Sequence, residues 1–157
     1  MQKKSLDSLK NTLVKLDFRL DWIPEFIRYI EHCIDKGAVL VLLFGSRAKG
    51  EFLKDSDIDL LIVSPNHPAD VRDRVLDFFS DKLPVQPFVL TPSELFERLE
   101  KLDFLIFDAL EDGIVLYSSM ELNQVYDLLR ASKERFKLQR VKNGWKFDAA
   151  AAEAAGI

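Results

Sequence analysis

Two short groups of residues, separated by ten positions, have the types and the spacing for phosphate and metal chemistry. The first group, Gly45 and Ser46, follows the apolar run 39–44, which predicts a buried strand that ends in a tight turn. Glycine lets the backbone approach a ligand without an intervening Cβ, and the free N–H groups at the start of a helix favour phosphate. We therefore predict that Gly45 and Ser46 bind phosphate, with the positive charges of Arg47 and Lys49 as helpers.

The second group is the acidic pair Asp57 and Asp59, which leads into the apolar run 60–63. Side chains alternate along a strand, so both carboxylates leave the same face. Two bare carboxylates at this spacing would raise each other's pKa, whereas divalent cations between them favour the charged forms. We therefore predict a metal site, and we expect the two strands to run antiparallel so that turn and carboxylates meet. The alternative is an ordinary turn followed by two solvated loop acids.

Together, Gly45-Ser46, ten intervening residues and Asp57-Ile58-Asp59 resemble the signature of the DNA polymerase β-type nucleotidyltransferase superfamily. The likeness is greatest to its small single-domain members, the minimal nucleotidyltransferases. It implies transfer of a nucleoside monophosphate from a nucleoside triphosphate, with ATP as the expected donor, to a hydroxyl acceptor, with release of pyrophosphate. It further implies that Asp57 and Asp59 hold two Mg²⁺ ions, about 3.5–4 Å apart in sites of this kind, and that Gly45 and Ser46 bind the β,γ-phosphates.

One residue departs from the pattern of the family that the chain resembles. The family has a third carboxylate near the start of the strand after the crossover helix, and the best match here is Gln86. An amide cannot act as a general base and is a poor replacement for an anionic magnesium ligand. Three interpretations stay open: a two-acid site with substrate-assisted proton transfer, loss of transfer with nucleotide binding retained, or a contribution from another acid, namely Glu51, Asp55 or Asp81.

The departure keeps a second function open, a catalytically impaired nucleotide- or partner-binding module. The resemblance implies a partner of the helical HEPN type, with this chain as the antitoxin-like subunit and a tyrosine hydroxyl of the partner as an acceptor. The sequence also leaves a homodimer open. A third interpretation, RNA binding through a basic C-terminal stretch, is less favoured than a solvated helix face. That stretch comprises Arg130, Lys133, Arg135, Lys137, Arg140, Lys142 and Lys146.

Composition limits the class of protein. The 157 residues are 48% apolar and 31% charged, and they contain one cysteine. No apolar run is long enough to span a membrane, and the N-terminus lacks the apolar centre of a signal peptide. We therefore expect a cytoplasmic globular protein. Residues 1–129 hold 15 Lys and Arg against 23 Asp and Glu, and residues 130–157 hold 7 against 3, so positive charge is concentrated at the C-terminal end.

The predicted fold is α/β (α+β), a mixed nucleotidyltransferase-type sheet of about four strands flanked by helices, with a C-terminal helix and β-hairpin. Because the connection after Val63 has the length of a crossover, the strand 85–90 is expected to run parallel to the acidic strand. We divide the chain into N-terminal helices that pack on the domain (1–36), a nucleotidyltransferase core (37–117), a C-terminal helix with a basic hairpin (118–148) and an alanine-rich tail (149–157).

Local signals predict where several elements begin and turn. Leucines 6, 9, 13, 16 and 20 have the spacing of an amphipathic helix. Asp21 is expected to cap the second helix, and the pairs Thr91/Glu94 and Ser118/Glu121 are predicted capping boxes. Asn143-Gly144 predicts a type I′ hairpin turn. The tail is expected to have no partner face, and His32 and His67 are expected to be structural or solvated, since neither has a second ligand at metal spacing.

Overall fold

A four-stranded mixed sheet carries both residue groups in the computed structural model, which describes residues 3–66, 68 and 70–157. Its strands are β1 (Leu40–Phe44), β2 (Ile58–Val63), β3 (Val85–Leu90) and β4 (Ile114–Ser118), in the order β3-β2-β1-β4. Strand β1 runs antiparallel to β2 and to β4, and β2 runs parallel to β3. Both predicted strand directions are confirmed.

Eight helices are described around the sheet and beside a small hairpin. They are α1 (Lys3–Lys15), α2 (Ile23–Asp35), α3 (Gly45–Lys49), α4 (Val71–Asp77), α5 (Pro92–Glu100), α6 (Phe104–Asp112), α7 (Asn123–Arg135) and α8 (Ala149–Ala154). The hairpin consists of β5 (Gln139–Val141) and β6 (Gly144–Lys146). The α/β class and the flanking helices are as expected, and no helix within the described residues is long and apolar enough to cross a membrane.

The sheet separates two apolar cores because its strands alternate between faces. Val41, Leu43 and Leu60 pack on one face with residues of α1 and α2. Leu42 and Leu61 pack on the other face with residues of α5, α6 and α7. Strands buried on both sides explain the uninterrupted apolar runs in β1 and β2.

The N-terminal helix is shorter than its leucine pattern predicts. Helix α1 ends at Lys15, and Leu9 and Leu13 are buried in the core as expected. Leu20 lies beyond the helix end and is 74% exposed. The capping prediction for Asp21 is wrong: α2 begins at Ile23 without a side-chain cap, because the Asp21 carboxylate accepts hydrogen bonds from Arg19 instead.

One of the two predicted capping boxes is confirmed. Thr91 and Glu94 exchange both reciprocal hydrogen bonds at the start of α5. Ser118 does not cap a helix, because pairing with Leu40 extends β4 to this residue. Its hydroxyl donates to the carbonyl of Met120 (3.1 Å), and α7 begins only at Asn123.

The C-terminal end differs from expectation in two ways. The hairpin forms, but its turn residues are Lys142 and Asn143, neither of which has the positive φ that a type I′ turn requires. The tail has a partner face after all: Asp148 caps α8, and Ala152 is 5% exposed within the core below α7. His67 lies outside the described residues.

Candidate functional site

The glycine turn and the acidic pair meet at one end of the antiparallel pair β1–β2. The register opposes Phe44 and Asp59, so that Gly45, the next residue, lies against the Asp59 side chain. A Cβ on Gly45 would stand 2.4 Å from Asp59 Oδ2, and Gly45 has φ +71°. Both the contact and the left-handed conformation therefore require glycine here. This proximity is the geometry that the sequence predicted.

The remaining residues of the turn have their side chains on two different sides of helix α3. Residues three apart in a helix share a face, so Ser46 and Lys49 lie together and Arg47 points elsewhere. The first N–H groups of a helix have no partner within it. Ser46 is half-buried. The turn thus presents backbone donors, a hydroxyl and an ammonium group on one side.

The two carboxylates lie at the start of β2, where Asp59 is the second residue of the strand and Asp57 directly precedes the first. Asp57 is exposed and Asp59 is half-buried. Burial raises the pKa of Asp59, and the negative charge of Asp57 raises it further. Both causes act against the charged form. A cation between the two side chains would oppose them, so the electrostatics of the pair suit a metal site.

Gln86 lies directly beside Asp59. The parallel register of β2 and β3 pairs these two residues, and the Gln86 side chain is exposed on the same side of the sheet. Among the three alternative acids, Asp55 is engaged elsewhere, since its carboxylate accepts a hydrogen bond from Arg19 at 2.7 Å. Within the described part of the chain, no group of three or more acidic, histidine or cysteine side chains could hold a metal ion.

The donor set fits magnesium. Mg²⁺ accepts one or two carboxylates together with waters and substrate phosphate oxygens, and does not need an all-protein cage. Asp57 and Asp59 supply such carboxylates beside the glycine turn, and the amide oxygen of Gln86 is a weaker neutral donor next to Asp59. The Asp59 carboxylate lies close against Gly45, so a ligand bound at the turn would be near this acid.

The structure does not support Arg47 as a phosphate-binding helper. Its side chain is 1% exposed and lies on the face of the sheet opposite the carboxylates, among Phe18, Trp22 and Phe52. Helical spacing explains the error, because Arg47 cannot share the side of α3 that carries Ser46. No sequence signal identified the aromatic partners, two of which come from the connection between α1 and α2.

Lys49, unlike Arg47, lies on the same side of α3 as Ser46. Its ammonium group lies 3.6 Å from the carboxylate of Asp112 on α6. Lys49, Asp112 and Arg140 line a shallow depression that is open to solvent. The long-range pair Arg140–Asp112 (2.5 Å) was not anticipated from the sequence.

The basic C-terminal stretch is largely paired with acids, as expected for a solvated face. Four of its members contact a carboxylate, each at the protein surface. Exposed pairs of this kind add little stability. The pairs are Arg130–Asp127, Lys133–Glu111, Lys137–Asp148 and Arg140–Asp112.

A profile of the nucleotidyltransferase domain family matches residues 27–121, which is more than half of the chain. The match begins within α2 and ends just after β4, so it contains the whole four-stranded sheet and both residue groups.

Similar individual proteins include a candidate protein adenylyltransferase, MJ1305, of Methanocaldococcus jannaschii, which is 27% identical over 103 residues, or 60% of this chain and 69% of that protein. Among solved structures, a candidate nucleotidyltransferase from Sulfolobus solfataricus is 22% identical with a TM-score of 0.43, covering 75% of this chain and 91% of that one. A toxin–antitoxin structure with AMP-PNP is 15% identical with a TM-score of 0.45, covering 68% and 83%.

Proposed function

The chain belongs to the nucleotidyltransferase domain family, and from this premise we propose that it binds a nucleoside triphosphate with magnesium and transfers the monophosphate to a hydroxyl. The observation that carries the proposal is the contact of Gly45 with the Asp59 carboxylate. A phosphate held by the turn would lie next to the two acids. We further propose ATP as the donor and a protein hydroxyl as the acceptor, because the relative from M. jannaschii is named as a protein adenylyltransferase.

In this proposal, each part of the site has one task. The N–H groups of the turn and the Ser46 hydroxyl bind the β,γ-phosphates, and Lys49 adds positive charge on the same side. Asp57 and Asp59 would hold magnesium, which when bound supplies positive charge that offsets the charge developing on the phosphate oxygens. Binding of the triphosphate at these residues would orient the α-phosphorus toward the acceptor. Positioning and electrostatic stabilisation together supply nearly all the catalysis of phosphoryl-type transfer.

The transfer forms a bond between the acceptor oxygen and the α-phosphorus and breaks the bond from that phosphorus to the oxygen bridging to the β-phosphate. Pyrophosphate leaves with the electron pair of the broken bond. Gln86 cannot take the acceptor proton, because a carboxamide is not a base near neutral pH. We propose that the proton passes to a phosphate oxygen of the substrate.

The position of Gln86 favours a second candidate function, a nucleotide-binding module that has lost transfer. Such a module would act through a partner, for which the resemblance to minimal nucleotidyltransferases suggests a helical HEPN-type protein. Here the chain would bind the nucleotide and the partner without releasing pyrophosphate.

Calorimetric titration with a non-hydrolysable ATP analogue, with and without magnesium, tests the binding that both candidates share. We expect binding that requires magnesium and is lost in Asp57→Asn. Binding that is equally tight without magnesium would contradict the metal role of the pair. Pyrophosphate release from ATP in the presence of acceptor protein then separates the two candidates.

A further inference from the structure

Arg47 occupies a closed aromatic box on the face of the sheet opposite the acidic pair. Its guanidinium carbon lies 5.1 Å from the ring centre of Phe18, 5.0 Å from that of Trp22 and 4.7 Å from that of Phe52. Only 1% of the residue is exposed. The charged group is therefore withdrawn from solvent and from any substrate in the site.

Within the described part of the chain, every hydrogen bond of the Arg47 side chain goes to the loop that precedes β2. Nε donates to the Ser56 carbonyl at 3.0 Å, and Nη2 donates to the carbonyls of Ser56 at 2.7 Å and of Lys54 at 3.2 Å. Ser56 is the residue directly before Asp57. The planar guanidinium thus fixes two carbonyl groups on the approach to the metal-site acid.

Backbone position decides where the Asp57 carboxylate lies. Among the described residues, no hydrogen bond or ion pair restrains this carboxylate directly. The loop before β2 is restrained by the hydrogen bonds of Arg47 and by a second contact, the 2.7 Å ion pair between Arg19 and Asp55. Arg19 belongs to the same α1–α2 connection that supplies Phe18 and Trp22.

The stability of the fold does not by itself explain why a charged guanidinium is buried among these three rings. Burial disfavours the charged form and lowers the pKa of Arg47. Its Nη1 is a buried side-chain nitrogen for which the described structure contains no hydrogen-bond acceptor. An apolar side chain of similar length would fill the same volume without desolvating a charge. Arginine adds two features that such a side chain lacks, the contacts of its cation with the three rings and the directed bonds to the loop. Only the bonds attach to the backbone of residues 54 and 56.

We propose that Arg47 is a positioning residue, which holds the backbone of residues 54–56 so that Asp57 stays in register with Asp59 for magnesium binding. The inference rests on the proposed function of the acidic pair and deepens it. It gives the α1–α2 connection an indirect role, since Phe18 and Trp22 of this connection enclose Arg47 on the opposite face of the sheet. Supporting residues behind a metal ligand typically change metal affinity or activity by about 10–100-fold when replaced.

The test compares two buried arginines. Arg47→Met removes the bonds to the loop, and Arg74→Met is the matched control, since Arg74 is 4% exposed and joins Pro68 and Glu94 near the other end of β3. Binding of the non-hydrolysable ATP analogue is measured against magnesium concentration, well below each melting temperature. We expect the half-saturating magnesium concentration to rise by about 10–100-fold in Arg47→Met and to stay unchanged in Arg74→Met.

An unchanged magnesium dependence in Arg47→Met would overturn the proposal. An equal rise in both variants would also overturn it, because general destabilisation would then explain the effect. If Arg47→Met does not fold, Arg47→Lys replaces it; lysine keeps the charge but cannot reproduce the planar fork, so the same rise is expected.

A second measurement needs neither nucleotide nor metal. Hydrogen–deuterium exchange in the metal-free protein should become faster over residues 52–57 in Arg47→Met and not in Arg74→Met. Unchanged exchange there would overturn the positioning role. If the wild-type chain showed no magnesium-dependent nucleotide binding, the proposed function would fail, and the exchange result would still decide whether Arg47 orders the loop.

Discussion

At the scale of single residues, the site depends on the missing side chain of Gly45 and on the proximity of two carboxylates, those of Asp57 and Asp59. Gly45 lets the turn approach the Asp59 carboxylate closely, and the charge of Asp57 adds to the rise that burial causes in the pKa of Asp59. The residue types and their spacing identified these three positions from the sequence. The same reasoning misplaced Arg47, because the direction of a side chain in a five-residue helix depends on what packs beneath it.

The contact of Gly45 with Asp59 can be tested by comparing alanine substitutions at Gly45 and at Gly50, which has a similar φ. Gly45→Ala places a Cβ 2.4 Å from Asp59 Oδ2 at φ +71°, whereas Gly50→Ala meets nothing within 4 Å at φ +74°. Both variants should lose about 1–2 kcal/mol of unfolding free energy from the left-handed conformation. Only Gly45→Ala should also lose magnesium-dependent nucleotide binding by calorimetry. Equal binding in the two variants would show that the contact does not shape the site.

Burial of Asp59, together with the nearby charge of Asp57, predicts a pH dependence of the metal-free protein. Because the folded-state pKa of Asp59 is raised, the native state holds its proton to higher pH than the unfolded state does. Stability contributed by this group therefore falls as pH rises from about 4, the usual carboxyl value. Asp59→Asn should remove that fall in urea-unfolding experiments and retain the fold at neutral pH. A sharp drop in the melting temperature of Asp59→Asn would instead make the acid structural.

At the scale of elements, strand register brings the site together. The apolar runs, the glycine between them and the crossover length were sufficient to predict antiparallel β1–β2 and parallel β2–β3. Local capping signals were less dependable, since Thr91 caps α5 while Ser118 is drawn into β4 by its pairing with Leu40. Sequence spacing alone does not show whether the backbone groups of such a residue hydrogen-bond within the following helix or with a distant strand.

The register of β3 makes Gln86→Asp an informative change. The new carboxylate would stand beside Asp59 and near Asp57, so like-charge repulsion should lower the melting temperature of the metal-free protein. Magnesium should restore it, because a ligand bound only by the folded state stabilises that state. If the native site lacks only a base, transfer should rise, and general-base contributions are typically about 10²–10⁴-fold.

Asn143→Asp is the matched control for Gln86→Asp. It adds the same charge at the exposed turn of the hairpin, outside the four-stranded sheet that carries Asp59, and should show no magnesium-dependent change in melting temperature. If Gln86→Asp behaved like this control in both melting and transfer, Gln86 would not belong to the site.

At the scale of the whole molecule, residues far apart in sequence support the short signature. The α1–α2 connection encloses Arg47, and α6 and the hairpin bring Asp112 and Arg140 to Lys49. The alanine-rich tail completes the core through Ala152. None of these contacts follows a period or motif, and so the sequence predicted the sheet and the acidic pair but not the packing that holds them in place.

The central claim, transfer of a nucleotide, is tested most directly by the fate of two labels. The protein is incubated with magnesium, acceptor protein and ATP labelled either at the α-phosphate or at the γ-phosphate, alongside Asp57→Asn. We predict that label from the α-position becomes covalently attached to the acceptor, that label from the γ-position is released in pyrophosphate, and that the variant attaches neither. Attachment of the γ-label, or no attachment despite magnesium-dependent ATP binding, would contradict nucleotidyl transfer.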